Sequence, residues 1–441
     1  MPEYDTIKRN NSEECDVLRY RLPKKSVRLD YLFNMFGSTA NAAVSILLLI
    51  VVSRVLGEEE AGVFTLCFST AQMMYIIGEF ELRSVQVTDA KEEYSFGHMI
   101  AFLLLTTAAM LIATFGFMLF HGFAGEKLIV MLLLTLYMAV LSLADVFQGD
   151  LHYQGYLFLA GLGLGGEVLS AAFAFLITLV ITRNLALSIL PMIGAALLWL
   201  FLYEIPFAES LTPARPRFEG KKLLHLLLTA APLAISVFLN QFVFNAPKFA
   251  IDTFLTEADQ SHYGFLVMPS FVINLLSLFV FRPRLVALAE QWHNDRRTFF
   301  RQVRRLYVWV ALATALTVLA GFAAGISVLN FLYNARLNDY RFLLVLLLLG
   351  GGFSAGCTLS VTLLAVIRKQ AFGLIGYGAA ALLALFLPDL FVRHFGFAGA
   401  AYAFLTEAAL LFICLIVIFT VCAHTHERTQ STATEEYFEI Q

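Results

Sequence analysis

Twelve apolar runs divide this chain, and they restrict its fold more than any other feature of the sequence. An α-helix of about 20 apolar residues crosses the hydrocarbon core of a bilayer. Of the 441 residues, 59% are hydrophobic and 14% are charged, whereas charged residues make up roughly a quarter of a soluble globular domain. We therefore predict an all-α integral membrane protein with twelve transmembrane helices. The predicted spans are residues 30–55, 62–82, 98–120, 128–149, 156–182, 186–204, 226–251, 263–283, 306–330, 342–366, 371–390 and 396–422.

Positive charge is distributed unevenly between the two predicted faces of the membrane. Lys and Arg concentrate in the cytoplasmic segments of membrane proteins. The first 29 residues carry seven of them and are too long and polar for a cleaved signal peptide. If this tail is cytoplasmic, twelve spans place 23 of the 30 Lys and Arg residues on the same side. We therefore predict a multi-pass membrane protein with both termini in the cytoplasm.

The five cysteines show neither a CxxC motif nor metal-ligand spacing. Four of them lie within or beside apolar spans, where cysteine is usually a small core residue. We expect no disulfide framework, no metal site and no cofactor.

The two halves of the chain begin with similar loops. Residues 56–64 and 255–265 each contain a leucine, an acidic turn, and then a glycine and an aromatic residue entering the next helix. Six helices separate the two loops, so both have the same orientation, as in a parallel repeat about an axis normal to the membrane. The predicted organisation comprises an N-terminal tail (1–29), a six-helix lobe (30–204), a cytoplasmic linker (205–225), a second six-helix lobe (226–422) and a C-terminal tail (423–441).

Polar side chains line one face of four predicted helices, the first two of each half. On the seventh helix, Gln241, Asn245, Lys248 and Asp252 recur at spacings of 4, 3 and 4 and so share one face. Comparable lines are formed by Asn34, Ser38, Asn41 and Ser45, by Gln72, Tyr75, Glu79 and Arg83, and by Ser270, Asn274, Ser277 and Arg284. A line of Ser and Asn can simply join packed helices. Because charged residues in a membrane are costly and usually face water, protein or one another, four such lines favour a shared polar cleft.

Three segments of the chain carry a resemblance to a known family. They are Ser-Arg-Val-Leu-Gly at 53–57 followed by Gly-Val-Phe at 62–64, Asn-Ala-Pro-Lys-Phe-Ala-Ile-Asp at 245–252 with Gly264 and Phe-Arg-Pro at 281–283, and Gly-Phe-Ala-Gly-Ala-Ala at 396–401. By their order and spacing the chain resembles the Wzx-type polysaccharide flippases of the multidrug/oligosaccharidyl-lipid/polysaccharide exporter superfamily. It departs from them at Gly-Glu-Phe-Glu (78–81), where many relatives have an acid followed by glycine, so the resemblance assigns no role to Glu79.

The resemblance implies two pseudo-symmetric six-helix bundles around a central cavity that opens alternately to each side of the bacterial plasma membrane. The implied substrate is an oligosaccharide repeat unit linked to undecaprenyl pyrophosphate, for capsule, exopolysaccharide or a related glycan. The implied partners are this lipid-linked glycan, membrane lipids and glycan-assembly proteins, with no nucleic acid.

The cationic residues of the polar lines suit an anionic cargo. Arginine can bind phosphate oxygens bidentately, and Arg282, Arg284 and Arg83 lie at the predicted cytoplasmic mouth, although such residues can also be ordinary positive-inside anchors. Lys248 and Arg54 lie toward the outer side, where they would receive the head group late in the cycle. Lys248 could instead extend to the interface or pair with Asp252 one turn away. With Gln241, Asn245, Asn41 and Asn274, these residues are the predicted cavity site.

Two acids on other helices are candidates for ion coupling. Glu167 lies near the centre of the fifth span and Asp145 toward the inner end of the fourth. Either could carry a proton or bind sodium, or be protonated and hydrogen-bonded between helices. Asp252 and Glu79 complete the set of candidate ion-coupling residues.

Two other functions compete with the flippase interpretation. A multidrug or metabolite antiporter would share the fold, but a cation exporter should have a cavity dominated by acids. The polar lines contain three cations and two acids, which favours an anionic cargo: Lys248, Arg83 and Arg284, and Glu79 and Asp252. A membrane-embedded glycan polymerase would need a substantial aqueous loop, whereas the outer loops have about 4 to 11 residues and no nucleotide-binding loop stands out. We therefore expect no enzymatic activity.

Overall fold

The computed structural model describes residues 27–89, 93–281 and 284–439. Cys15, most of the predicted N-terminal tail, and Arg282 lie outside these ranges.

Twelve long helices, numbered here in chain order, account for most of the described residues, which contain no β-strand. They are α1 (Val27–Leu56), α2 (Glu58–Glu79), α3 (Phe96–Phe120), α4 (Gly125–Tyr153), α5 (Leu157–Thr182), α6 (Leu185–Trp199), α7 (Gly220–Phe254), α8 (Glu257–Phe281), α9 (Arg296–Ala320), α10 (Arg341–Val366), α11 (Gly373–Ala384) and α12 (Phe397–Glu439).

Shorter helical segments extend several of these helices. The segment Leu82–Thr88 follows α2, and Leu285–Asn294 precedes α9. A π-helical turn, Leu200–Glu204, continues α6 into the short helix Ile205–Glu209. Likewise, α9 continues through a π-helical turn into Ile326–Tyr333, and α11 is followed by Leu387–Phe395.

The predicted membrane spans are confirmed in their order and approximate position. Over the described residues, eleven helical segments are long and apolar enough to cross a membrane. The predicted eighth span, residues 263–283, coincides with α8, which is not among these eleven segments. The largest differences are at α12, which continues to Glu439 rather than ending at residue 422, and at α9, which begins at Arg296 rather than at residue 306. In addition, α7 begins at Gly220 rather than near residue 226, so the predicted linker is partly helical.

The helices pack as two six-helix bundles, which we call the first lobe (α1–α6) and the second lobe (α7–α12). In the first lobe, α1 packs along α5, α5 along α6, and α2 against α3 and α4. In the second, α10 packs against α12 and α8, and α7 against α11. The lobes meet mainly through α2, which contacts both α7 and α8. This is the predicted all-α architecture of two bundles.

Glycine allows close backbone contact where α1 crosses α5 and where the lobes meet. A Cβ atom on Gly37 or on Gly161 would clash with the backbone of the other helix. A Cβ on Gly62 of α2 would clash with the Glu257 carbonyl of α8. Such small residues let membrane helices approach closely.

The two ends of the molecule differ, and we name them for the connection between the lobes. The linker end is the end at which α6 finishes and α7 begins. The far end is the opposite one, where α1 is joined to α2 and α7 to α8.

Candidate functional site

The polar line of α1 is exposed toward the linker end. Asn34, Ser38 and Asn41 are exposed, whereas Leu48 and Val52, nearer the far end, are buried. Polar side chains on a membrane helix are costly in contact with hydrocarbon. We infer that this exposed part of α1 faces a cleft between the lobes that is open toward the linker end.

Hydrogen bonds from α1 to the second lobe help to close the far end. Ser53 Oγ donates to the Tyr333 carbonyl over 2.7 Å, and Arg54 Nε donates to the Leu332 carbonyl over 2.6 Å. Arg54 Nη2 also donates to the Phe331 carbonyl. These carbonyls end the helix Ile326–Tyr333, where the helix dipole favours a cation. The structure thus places Arg54 at the junction of the lobes, away from the exposed line of α1.

Charged side chains close the far end at a second point. Lys127 at the start of α4 lies 2.5 Å from Asp252 Oδ1 of α7 and 2.6 Å from Glu257 Oε1 of α8. Nearby, His262 Nε2 lies 3.1 Å from Glu58 Oε2 and forms an ion pair when the histidine is protonated. One cation of the first lobe therefore bridges two carboxylates of the second.

Lys248 is buried in the middle of the α7 line with a neutral partner. Lys248 is 6% exposed, and its Nζ donates to Asn245 Oδ1 over 3.0 Å. Asn245 Nδ2 in turn donates to the Gln241 carbonyl over 2.9 Å. No carboxylate in the described part of the chain lies within 4 Å of Lys248 Nζ, and Asp252 pairs with Lys127 instead. Hydrogen bonds thus link Lys248 to Asn245 and Asn245 to the main chain of Gln241, whereas Asp252 is paired with Lys127.

The line on α8 is partly buried, and its cation lies at the linker end. Ser270 and Ser277 are buried. Asn274 Oδ1 is buried and has no hydrogen-bond partner among the described residues. Arg284 is partly exposed and precedes the helix Leu285–Asn294. Arg284 therefore lies far along the cleft from Lys248.

A sharp break in the backbone ends the α2 line. Phe80 and Glu81 both have left-handed backbone angles, with φ of 48° and 53°. Non-glycine residues rarely adopt this conformation, and two in succession redirect the chain. Glu79 is the last residue of α2, and after the break Arg83 turns into the first lobe. The break coincides with the segment that departs from the family pattern.

Arg83 connects the cleft to polar groups inside the first lobe. Its side chain is 33% exposed and lies 3.3 Å from Asp145 Oδ1, measured from Nε. Its Nη2 donates to Gln148 Oε1 over 2.9 Å. Both partners belong to α4, and Glu79 interacts electrostatically with Arg83 and Asp145. The predicted residues Arg83, Asp145 and Glu79 are thus neighbours.

Gln148 extends this network to two buried glutamates. Its Nε2 donates to Glu167 Oε2 of α5 over 3.3 Å and to Glu204 Oε1 over 3.0 Å. The two glutamates are 1% and 0% exposed. We call Arg83, Asp145, Gln148, Glu167 and Glu204 the first-lobe network.

Three members of this network, Arg83, Asp145 and Glu167, are predicted from the sequence, whereas Gln148 and Glu204 are not. Gln148 follows Asp145 by three residues, a spacing that places both on one helix face. Glu204 lies at the predicted end of the sixth span, where the sequence does not indicate that its side chain is buried. The π-helical turn Leu200–Glu204 carries it into the lobe instead.

An apolar groove lies beside the α7 line. It has a volume of about 440 Å³ and is lined by Phe238, Leu239, Phe242, Gly378, Ala381, Leu382 and Leu385, from α7 and the region of α11. At 100° per residue, the α7 residues of the groove lie about a quarter turn from the polar line. One helix therefore presents a polar face and an apolar face side by side.

Comparison with solved structures identifies the fold. The lipid II flippase MurJ in an inward closed conformation superposes with a TM-score of 0.69 at 14% identity, over 89% of this chain and 90% of that chain. An inward-facing multidrug resistance MATE family transporter of the MOP superfamily gives 0.65 at 14% identity, over 93% and 99%. The Vibrio cholerae MATE transporter VcmN in the bent form gives 0.57 at 13% identity, over 90% and 97%. Neither a protein-family model nor a curated protein matches the sequence. At these identities the likeness establishes a shared fold.

Proposed function

We propose that this protein is a transporter that moves oligosaccharides linked to undecaprenyl pyrophosphate across the bacterial plasma membrane by alternating access. The observation that carries the proposal is the contrast between the two ends of the cleft. Hydrogen bonds and ion pairs close the far end, while the polar line of α1 is exposed toward the linker end. The asymmetry of Lys and Arg assigns the linker end to the cytoplasm. The described conformation then corresponds to an inward-facing stage.

The cations along the cleft support an anionic cargo. Arg284 and Arg83 lie toward the linker end, and Lys248 lies deeper, beyond Asn245 and Gln241. A pyrophosphate entering from the cytoplasmic leaflet would meet the arginines first, and their planar guanidinium groups match phosphate oxygens. Lys248 has a neutral partner and would gain a charged one when the head group arrives.

The apolar groove supports a cargo that carries a lipid tail. A polyprenyl chain gains little by leaving the bilayer, so a flippase must hold the head group while the tail remains in apolar surroundings. The groove between α7 and the α11 region provides such surroundings next to the polar line. A small polar metabolite would make no use of this adjacency.

A multidrug or metabolite antiporter is the second candidate. Two of the structural neighbours described above are MATE transporters, one of them named for multidrug resistance. The acidic residues of the first-lobe network would suit a cationic cargo if that cargo reached them. Arg83 lies between them and the cleft, which favours the anionic cargo.

Reconstitution distinguishes these two functions. Proteoliposomes containing the full chain should transfer a fluorescent undecaprenyl-pyrophosphate oligosaccharide between leaflets at least tenfold faster than protein-free liposomes. The same vesicles should not exchange cationic dyes for protons. Dye transport without transfer of the lipid-linked glycan would overturn the proposed cargo.

A further inference from the structure

We propose that Glu167 and Glu204 form a shared proton-binding site and that Arg83 couples its occupancy to the anionic head group in the cleft. The second half of this proposal rests on the proposed function, whereas the proton site itself rests on the geometry of the first-lobe network.

The orientation of the Gln148 amide is fixed by its partners. Arg83 can only donate hydrogen bonds, so the atom that receives its Nη2–H must be the amide oxygen of Gln148. The amide nitrogen then faces the two glutamates and donates to one oxygen of each, over 3.3 Å to Glu167 and 3.0 Å to Glu204. Gln148 therefore holds both carboxyl groups around one NH₂ group.

Each carboxyl group also has one oxygen without a partner. Glu167 Oε1 and Glu204 Oε2 are buried and accept no hydrogen bond from the described residues. Buried polar atoms are normally satisfied, and two ionised carboxylates so close together in a dry interior repel each other. One proton on either free oxygen would remove one negative charge. The pair would then change from two charges to one, with the proton supplied by water in the cleft.

The groups that face the pair are mostly acidic or neutral. Asp145 and Tyr137 face it from α4, and Tyr203 faces it from the end of α6. Arg83, reaching in from beyond the end of α2, is the cation that interacts with both glutamates. From α1, Asp30 Oδ1 accepts a hydrogen bond from Phe158 N at the linker end of α5, nine residues before Glu167. Arg83 therefore faces the three acids of the first-lobe network and also Glu79, and this excess of acids over cations favours at least one bound proton.

The same geometry favours a proton over a sodium ion. Sodium requires oxygen atoms that point toward it, whereas the N–H groups of Gln148 point into the space between the carboxyl groups. Gly163 allows the Glu204 carboxyl group to pack directly against α5, because a Cβ there would clash with Glu204 Oε1. A proton needs only one free carboxyl oxygen.

Arg83 provides the connection to the cleft. Its side chain is one-third exposed, and its guanidinium group contacts Asp145 and Gln148 at the same time. A pyrophosphate in the cleft would compete for this guanidinium group, and its departure would remove the cation that faces the acids. Loss of that cation favours proton uptake, so head group and proton would each promote binding of the other. Glu204 ends a π-helical turn, a type of distortion common at functional sites.

Infrared difference spectroscopy on the full chain in proteoliposomes tests the proton site without any substrate. The C=O band of a protonated carboxylic acid should appear as the pH is lowered, in the absence of sodium, and should disappear in both Glu167→Gln and Glu204→Gln. Glu407→Gln is the matched control, since Glu407 is a 2% exposed glutamate in the second lobe whose oxygens also have no partner among the described residues. This control should keep the band.

A further variant tests the proton site if the glutamine substitutions disturb folding. Gln148→Leu keeps both carboxyl groups but removes their shared donor, so it should shift the band without abolishing it. A band that is unchanged in all three first-lobe variants, or that responds to sodium and not to pH, would overturn the proton site.

Binding of a short-chain polyprenyl pyrophosphate tests the coupling. Its dissociation constant should rise by about tenfold per pH unit over the range in which the pair loses its proton. The Glu167→Gln, Glu204→Gln and Arg83→Gln variants should lack this dependence, whereas Glu407→Gln should keep it. Measurable binding without any dependence on pH would overturn the coupling. If the infrared band behaves as expected but this lipid does not bind, the proton site stands and the proposed cargo fails.

Discussion

Lys127 Nζ of the first lobe lies 2.5 Å from Asp252 Oδ1 of the second, and this ion pair occupies the carboxylate nearest in sequence to Lys248. The spacing of Lys248 and Asp252 on α7 would allow a pair within the helix. The structure instead assigns Asp252 to the junction of the lobes and leaves Lys248 bonded to Asn245. The Lys127–Asp252 ion pair therefore helps to close the far end and leaves Lys248 without a carboxylate partner.

The Lys127→Gln variant should open the far end more often. Removing the cation leaves Asp252 and Glu257 close together without a partner, and a change of about 1.4 kcal/mol shifts a conformational equilibrium tenfold. In intact cells, a membrane-impermeant thiol reagent should label a cysteine at Ser45 about ten times faster in this background. Arg183→Gln, at the exposed end of α5, should leave the rate unchanged. Equal rates in both backgrounds would mean that the ion pair does not hold the far end closed.

The Lys248→Met variant should lose transport without losing stability. Burying an ammonium group with one neutral acceptor is costly, and an apolar side chain of similar length avoids that cost. We expect a melting temperature equal to or above that of the wild type and at least a tenfold slower transfer of the fluorescent lipid-linked oligosaccharide. Lys248→Arg should retain more transfer than Lys248→Met. A less stable Lys248→Met variant with normal transfer would show that the lysine has a structural role.

Cysteine accessibility should separate the exposed part of α1 from its buried part. Asn41 is exposed and Val44 is 5% exposed, although they are one turn apart. In inside-out membrane vesicles, a charged thiol reagent should modify Asn41→Cys at least tenfold faster than Val44→Cys. Protection of Asn41→Cys in every condition would mean that this line is a dry packing surface.

The Gly378→Leu variant should interfere with the lipid tail. A Cβ on Gly378 meets no atom within 4 Å, so the larger side chain fits and partly fills the groove. Gly194 in α6 has equally open surroundings, so Gly194→Leu serves as the matched control. We expect several-fold slower transfer of undecaprenyl-linked cargo for Gly378→Leu, with unchanged binding of inorganic pyrophosphate. If both variants transfer at the wild-type rate, the tail does not occupy the groove.

Sequence reasoning recovered those features that depend on one helix at a time. Hydropathy located the spans, because each helix must satisfy its own backbone in the membrane. Periodicity placed Gln241, Asn245 and Lys248 on one face, and hydrogen bonds join them in the structure.

Features that depend on two or more helices could not be predicted in the same way. Lys127 and Asp252 are 125 residues apart, and no periodicity selects one as the partner of the other. Glu204 lies at a span boundary in the sequence, and a π-helical turn determines that it is buried. The inward turn of Arg83 depends on two consecutive left-handed residues, which the sequence alone does not indicate.

The ion pairs of Lys127 and the hydrogen bonds of Ser53 and Arg54, all at the far end, differ in how well they would survive amino-acid substitutions. Lys127 depends on the carboxyl groups of Asp252 and Glu257, so one substitution at either position removes an acceptor. Ser53 and Arg54 bind main-chain carbonyls at the end of the helix Ile326–Tyr333, and every amino acid at those positions supplies the same carbonyl. Homologues could therefore change every side chain at positions 331–333 and still retain this part of the closure, provided that the helix ends at the same place.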